Sequence, residues 1–443
     1  MQEYRNRDGF NNLSTMSFVK KIASRTRYAG TEGERDACDL ISEEFENLGC
    51  EVKKEETEYI KSEYSLTIFS LIPNWLFLVF IVASWLVHPL TVVLLIVVCF
   101  VSMSKIFPKL EMRLAKDKSI NVIATMNPEG KNRLILCGHY DSARVFSNFA
   151  QKYQKIFENV RPFFLLAAYF YLVVLFVRGI YIFAIEGFDF VSLLELSPRM
   201  TGVWSVVWWT YVVVFALGIL FLTYGVITLW TDKFSYGADD NASGIAVMME
   251  TAKRFQNRKL NLRVDLVCFA AEEKGLFGSK EWVKKHLKEL DRDQTYVLNI
   301  DCVGRGEKFF VYKGLGAIFK KYSDPMLCGI IDDICSELKF PLEEAWGGES
   351  DHAEFVEKRF RTCAVSRYNT AKTSIANVIL RRMFGIPLKK KNIIRFQDWV
   401  HTENDTIDNI DERKLEESAK IVVCFVEKLD KMVELNKTLS LGR

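Results

Sequence analysis

Five short segments of the chain carry side chains of the type that hold divalent metals. They are Gly138 to Ser142 with His139 and Asp141, Gly237 to Gly244 with Asp239 and Asp240, the pair Glu272 and Glu273, Asn299 to Asp301, and His401 to Thr406 with Asp405. Imidazole mixed with carboxylate, without cysteine, suits zinc, with manganese or cobalt as substitutes. An open position for water would mark a catalytic site and not a structural one. One carboxylate after a strand is ordinarily a cap or a turn residue. Here the chain has only five histidines, and His139, His352 and His401 all lie in short acidic motifs. That convergence is harder to obtain by chance.

The elements that must position these residues read as an α/β fold. Ile120–Thr125, Arg133–Cys137, Arg263–Phe269, Tyr296–Ile300, Phe309–Tyr312 and Arg361–Ser366 are apolar runs of strand length, several separated by helical patterns. Such runs predict a mixed central sheet covered by helices on both faces. His139, Glu272 with Glu273, and Asp301 each follow one of these runs, at strand ends where ligands gather in α/β sheets. Asp240 directly precedes the helical pattern Ala242–Phe255, and a helix N-terminus favours an anion. Upstream, residues 14–60 predict two helices and a polar edge strand at Glu51–Tyr59; Leu40, Ile41, Phe45 and Leu48 share one helical face, and Gly49 supplies the stop.

Taken together, these motifs resemble those of the co-catalytic di-zinc aminopeptidase and glutamate carboxypeptidase family of metallopeptidases. The resemblance extends to Arg27–Ala37, Asn121–Ala124 and Gly275–Ser279, and covers the non-membrane parts of the chain. It implies two Zn2+ per chain, with His139 and Asp301 on one ion, Glu273 and His401 on the other, and Asp240 bridging; Asp239 is then a neighbour. It also implies that Asp141 orients the His139 ring and that Glu272 is the general base acting on the attacking water. The segment Ser350–Phe355 resembles one that lines the substrate site, which makes Asp351 and His352 substrate or supporting contacts. Asp405 and Thr406 would hold the loop of His401, although ordinary loop hydrogen bonding explains all four equally well. Glutaminyl cyclases share the fold but are expected to lack part of the double-metal set. The stretch from Tyr368 to Trp399 departs from the family pattern, being longer and more basic, with Arg381-Arg382 and Lys389-Lys390-Lys391. It reads either as a solvated loop or as a contact with anionic lipid head groups.

The implied function is hydrolysis of N-terminal residues from peptides by a membrane-embedded zinc exopeptidase. The alternatives are a carboxypeptidase or dipeptidase of acidic peptides, and a non-catalytic peptidase-like scaffold. With 59 basic against 56 acidic side chains, net charge gives no nucleic-acid footprint. Ten cysteines show no CxxC pair, and Cys137, Cys268, Cys302 and Cys363 sit in apolar runs as small buried hydrophobes.

The membrane reading comes from charge distribution. From Tyr64 to Ser104 there is no Asp, Glu, Lys or Arg, and His88-Pro89 divides the block. At 1.5 Å per residue, about 40 residues give roughly 60 Å, two crossings of a ~30 Å hydrocarbon core, or a re-entrant hairpin. Val203–Trp230 is also uncharged, with Trp204, Trp208 and Trp209 toward one end and Trp230 at the other, like an aromatic belt. Phe163–Ile185 is its expected partner, although Arg178 falls inside and must snorkel or pair. The expectation is therefore two transmembrane hairpins, 64–104 and 163–231, interrupting a peptidase domain built from 1–63, 105–162 and 232–443. Met1–Leu13 is polar and predicts no cleavable signal. Lys105, Lys109, Arg113, Lys116, Lys118, Lys152, Lys155 and Arg161 flank the crossings on the catalytic side. The opposite loop, Glu186 to Gly202, carries Glu186, Asp189 and Glu195 against Arg199, so the positive-inside rule puts the catalytic domain in the cytoplasm. Trp230 lies ten positions before Asp240, which predicts a site close to the bilayer and substrates arriving along it.

Overall fold

A computed structural model describes residues 15–61, 116–148, 203–316, 320–348, 350–372 and 399–441, with the shorter stretches 75–80, 91–99, 170–181 and 392–395 and a few single positions. The first described elements are two helices, α1 (Thr15–Ile22) and α2 (Glu32–Asn47). The second begins where Thr31 caps the Glu34 N–H, a side-chain acceptor replacing one missing helical bond.

The strands are β1 (Glu51–Ile60), β2 (Lys116–Met126), β3 (Asn132–His139), β4 (Arg144–Phe146), β5 (Trp230–Phe234), β6 (Leu262–Phe269), β7 (Thr295–Ile300), β8 (Lys308–Tyr312), β9 (Gly314–Leu315), β10 (Lys321–Tyr322), β11 (Leu342–Ala345), β12 (Arg361–Lys372) and β13 (Asn392–Arg395). Eight of them run in the order β1-β2-β6-β3-β7-β12-β8-β11, and β13 joins β12 to make a nine-stranded sheet. The centre, β6-β3-β7-β12, is parallel, while β1, β2 and β8 run antiparallel to their neighbours on this path at β1–β2, β2–β6 and β12–β8. All six apolar runs picked out in the sequence are strands of this sheet, and the polar strand β1 lies at its edge.

Helices cover both faces, as predicted for a sheet whose central strands are apolar on both sides. One layer contains α1, α2, α4 (Ser243–Phe255), α6 (Pro325–Leu338) and α8 (Glu412–Leu441), whose Ile41, Phe45, Met248, Ile331 and Phe425 join Leu134, Leu136 and Leu298 in the main core. The other holds α5 (Phe277–His286) and α7 (His352–Glu357), where Trp282, Val283 and Phe355 pack on Ile135, Cys137 and Val267. The four cysteines expected in the core are all buried with free thiols.

The apolar segments form a separate cluster. The helix α3 (Val203–Ile227) is uncharged on every face. Its Trp208, Val212, Phe215 and Ile219 pack against Val92, Tyr171 and Leu175, with Phe77, Leu78 and Phe80 alongside. The outward side chains, among them Leu94, Val98, Phe170, Val177, Val213 and Leu217, remain exposed. The expectation of two transmembrane hairpins is corrected here. Among the described residues one helix, Trp208–Ile227, is long and apolar enough to cross a membrane, and only 24% of it is buried. Absence of charge makes a segment apolar, but a span also needs about 20 continuous helical residues. The described helical stretches 75–80, 91–99 and Phe170–Tyr181 are shorter. Much of 64–104 and 163–202, and most of the basic stretch before Trp399, lie outside the described residues.

Two strand pairs frame these segments. β1 and β2 are antiparallel with Ile60 opposite Lys116, so the chain leaves and re-enters at one point around residues 61–115. β4 and β5 are likewise antiparallel, with Phe146 opposite Trp230 and the Ser147 N–H bonded to the Leu229 carbonyl at 2.8 Å.

Candidate metal centre

Three neighbouring parallel strands end together, and this brings the first ligand-type residues into one place. His139 is the last residue of β3 and pairs with Phe269 of β6, three residues before Glu272. On the other side Cys137 pairs with Asn299 of β7, two residues before Asp301. Asp240 comes from the turn between β5 and α4, and His401 from a loop after β12. The Asp240–Asn241 peptide is cis. Asn241 steadies that turn, donating to the Ile300 carbonyl and accepting the N–H groups of Gly244 and Cys302. Both His401 and Ala271, beside Glu272, adopt positive φ, 56° and 51°. Non-glycine residues are uncommon there and need surrounding contacts to hold them.

Asp240 divides its carboxylate between the two imidazoles. Its Oδ1 lies 3.1 Å from His139 Nε2 and its Oδ2 3.3 Å from His401 Nε2. Around them, Asp301 Oδ1 is 3.6 Å from His139 Nε2 and Glu273 Oε2 is 3.0 Å from His401 Nε2. Ligand atoms within 4.8 Å of one another form three groups: His139 with Asp240 and Asp301, Asp240 with Glu273 and His401, and His139 with Glu272 and Glu273. Glu272 Oε2 stands 4.0 Å from His139 Nε2.

The surroundings are electrostatically unbalanced in favour of cations. Burial works against a charged His139, yet Glu272, Asp141, Asp240 and Asp301 outweigh it and hold its pKa well above the ordinary value. His401 is raised in the same way, Glu273 and Asp240 overcoming burial. Burial pushes Glu273 up to about 7 against the pull of His401, and raises Glu272 further, with His139 opposing and Glu273 adding to the rise. Burial would raise Asp240 too, but the two histidines bring it below its usual range. Glu273 Oε1 and Asp301 Oδ1 are buried without a hydrogen-bond partner among the described residues. Buried carboxylate oxygens without donors are costly unless a cation meets them. This oxygen and nitrogen donor set therefore fits divalent metal, and zinc in particular.

The supporting residues are specific. Asp141 accepts the Glu272 N–H on Oδ1 at 3.1 Å and the Glu273 N–H on Oδ2 at 3.2 Å, and its Oδ1 lies 3.4 Å from His139 Nδ1. Asp405 accepts the Asp239 N–H at 2.7 Å and the Asp240 N–H at 3.1 Å, so the His401 loop is tied to the Asp240 turn. Asp239 points away from the cluster, accepting from Gly304 N–H and from Trp399 Nε1 at 2.6 Å. Asp351 and His352 separate. His352 lines the cleft, whereas Asp351 is fully buried and does not reach the wall. Burial lowers the His352 pKa to about 4, so its ring is neutral at physiological pH.

Several residues take parts that the motifs did not assign to them. Ser350 donates to Asp301 Oδ2 at 2.7 Å and is itself held by Asn299. Arg27, completely buried, donates to the carbonyls of Tyr140, Tyr236 and Gly237 and so joins the His139 and Asp240 segments. Phe146 and Trp230 pack against His401. Arg27 lies inside a segment that carried the resemblance, but nothing in the local sequence marks Phe146.

The cleft over the cluster has a volume of about 520 Å³. Beyond the ligand-type residues its wall includes Phe146, Leu276, Tyr312, Ser350, Ser366 and Tyr368, and among the described residues no Lys or Arg lines it.

Comparison with known proteins agrees with this geometry. The profile of peptidase family M28 matches residues 224–426. Aminopeptidase YwaD of Bacillus subtilis (strain 168) is 27% identical over 211 residues, 46% of this chain and 40% of that protein. Probable glutamate carboxypeptidase VP8 of Zea mays is 30% identical over 139 residues, 28% of this chain and 20% of that protein. The aligned part of the chain thus spans less than half the length of these relatives. A Zn-dependent exopeptidase from Parabacteroides distasonis ATCC 8503 has the same fold, with TM-score 0.50 and 13% identity over 94% of this chain and 98% of that one.

Proposed function

We propose that the chain, whose residues 224–426 match the profile of peptidase family M28, is a membrane-embedded di-zinc aminopeptidase. The observation that carries this reading is the division of Asp240 between His139 and His401, with Asp301 and Glu273 completing one group each. His139, Asp240 and Asp301 would hold one zinc, and Asp240, Glu273 and His401 the second. Bound zinc supplies Lewis-acid polarisation of the scissile carbonyl and lowers the pKa of water at the site.

The chain's own groups do the rest. Glu272 takes a proton from the attacking water and returns it to the leaving amine, a role suited to a carboxylate whose pKa burial has raised. Asp141 keeps Glu272, Glu273 and His139 in register through its three contacts. A cleft rich in carboxylates and without Lys or Arg among its described lining suits a substrate's free α-amino group better than an acidic residue. That favours aminopeptidase over acidic carboxypeptidase activity.

Three observations support the membrane half of the proposal. The apolar segments cluster with one another, their outer side chains are exposed, and both leave the peptidase domain through closed antiparallel pairs. A segment that departs and returns at one point comes back to the side from which it left. The peptidase domain is then a single body assembled from 1–63, 105–162 and 232–443 around inserts 64–104 and 163–231, facing the cytoplasm by the positive-inside rule.

Glu272→Gln is the direct test. Hydrolysis of aminoacyl reporter amides should fall by about 10²–10⁴, the usual worth of a general base, while zinc content stays at two per chain. Undiminished turnover would remove Glu272 as the base. Preferential cleavage of acidic dipeptides by the wild type would move the reading to a carboxypeptidase, and metal-free, inactive protein would move it to a scaffold.

A further inference from the structure

A histidine that binds metal through one ring nitrogen is usually oriented by a hydrogen bond to the other. His139 follows that pattern, since its Nδ1 faces Asp141. His401 does not: its Nδ1 is buried and has no hydrogen-bond partner among the described residues. Its ring meets aromatic surfaces instead. Phe146 lies 4.9 Å from it between centroids at 52°, and Trp230 lies 6.0 Å away at 39°. Phe146 and Trp230 stack on each other at 4.8 Å and 23°. The Phe146 N–H also donates to the His401 carbonyl at 2.9 Å, bracing a residue whose φ is positive.

These two rings belong to the β4–β5 pair that closes the second apolar insert, and Trp230 comes three residues after the end of α3. We propose that Phe146 and Trp230 are positioning residues that orient the His401 imidazole toward the Asp240/Glu273/His401 metal position, coupling that position to the apolar helix. The inference rests on the metal-binding part of the function proposed above. It assigns the aromatic pair the task that a carboxylate performs for His139. An edge or face contact between aromatic rings restricts ring rotation.

The test is a zinc titration of the metal-stripped, full-length protein in phosphatidylcholine nanodiscs, against a competing chelator. Wild type should bind in two steps, and Asp301→Asn identifies them by weakening the step at the His139 position. Phe146→Ala and Trp230→Ala should each weaken the other step by about tenfold, the upper end of what one aromatic contact contributes, and leave the His139 step within about twofold. Phe146→Leu keeps apolar bulk without a ring and should show the same selective loss, whereas Trp230→Phe should restore the wild-type step. Two wild-type steps that persist unchanged in the alanine and leucine variants would overturn the proposal and leave the zinc reading standing. Equal weakening of both steps would also overturn it. A wild type that takes up no zinc would overturn both.

Discussion

The two imidazoles that share Asp240 are set in different materials. His139 ends a strand in the middle of a nine-stranded sheet, is almost completely buried, and has a carboxylate behind it. His401 lies in a turn, has an unpartnered Nδ1 among the described residues, and leans on rings at the foot of the apolar helix. One half of the centre is fixed by the packed core. The other depends on contacts between loops. A site built this way should fail in two separable manners.

The largest expected effect is on the seam between the halves. Asp405 satisfies two buried N–H groups, those of Asp239 and Asp240. Asp405→Ala leaves both without a partner, at about 1–3 kcal/mol each, and should lower the denaturant midpoint of the peptidase domain accordingly. A midpoint equal to wild type would mean that the seam is not needed. Next comes Asp141→Asn, expected to weaken zinc chiefly at the His139 step by about 10–100-fold, read by chelator competition. If the His401 step weakens more, the two halves are not independently supported and the comparison breaks.

A pH-dependent effect concerns the sheet-held half alone. Glu34 is buried against Ser119 and the Gly30 N–H, and burial, with a lesser contribution from Asp141, raises its pKa from 4.5 to about 7. The folded state therefore binds this proton more tightly than the unfolded chain does. The stability it contributes is full below about pH 4.5 and is lost as pH rises through 7, roughly 3 kcal/mol at one pKa unit per 1.36 kcal/mol. Glu34→Gln should flatten the profile between pH 5 and 8 and exceed wild-type stability at pH 8. Parallel melting profiles for the two proteins would show that Glu34 is solvated after all.

How much could be read beforehand follows the same division. The sheet-held residues were visible because their strands are apolar runs that stop at a ligand, as in Leu134–Cys137 before His139 and Tyr296–Ile300 before Asp301. Periodicity and strand-end chemistry report such places directly. The neighbours of His401 were hidden because β4 has three residues and β5 five, too short for alternation to register. Asp351 and His352, adjacent in sequence, part company only because α7 begins there and turns one into the core and the other to the cleft. The hairpin count failed for another reason. Charge-free composition measures solubility in lipid, while a span must also be helical over about 20 residues, and much of 64–104 and 163–202 lies outside the described residues.

The closed strand pairs have a thermodynamic side. Once Ile60 is held opposite Lys116, and Ser147 against Leu229, the length of chain between the pinned ends matters little. Each doubling of a flexible loop adds only about 0.6 kcal/mol of closure entropy. Residues 61–115 and 148–228 are therefore detachable in principle, and the peptidase sheet would tolerate their lengthening, shortening or exchange. A bilayer anchor can be fitted at such a doorway without redesigning the room behind it.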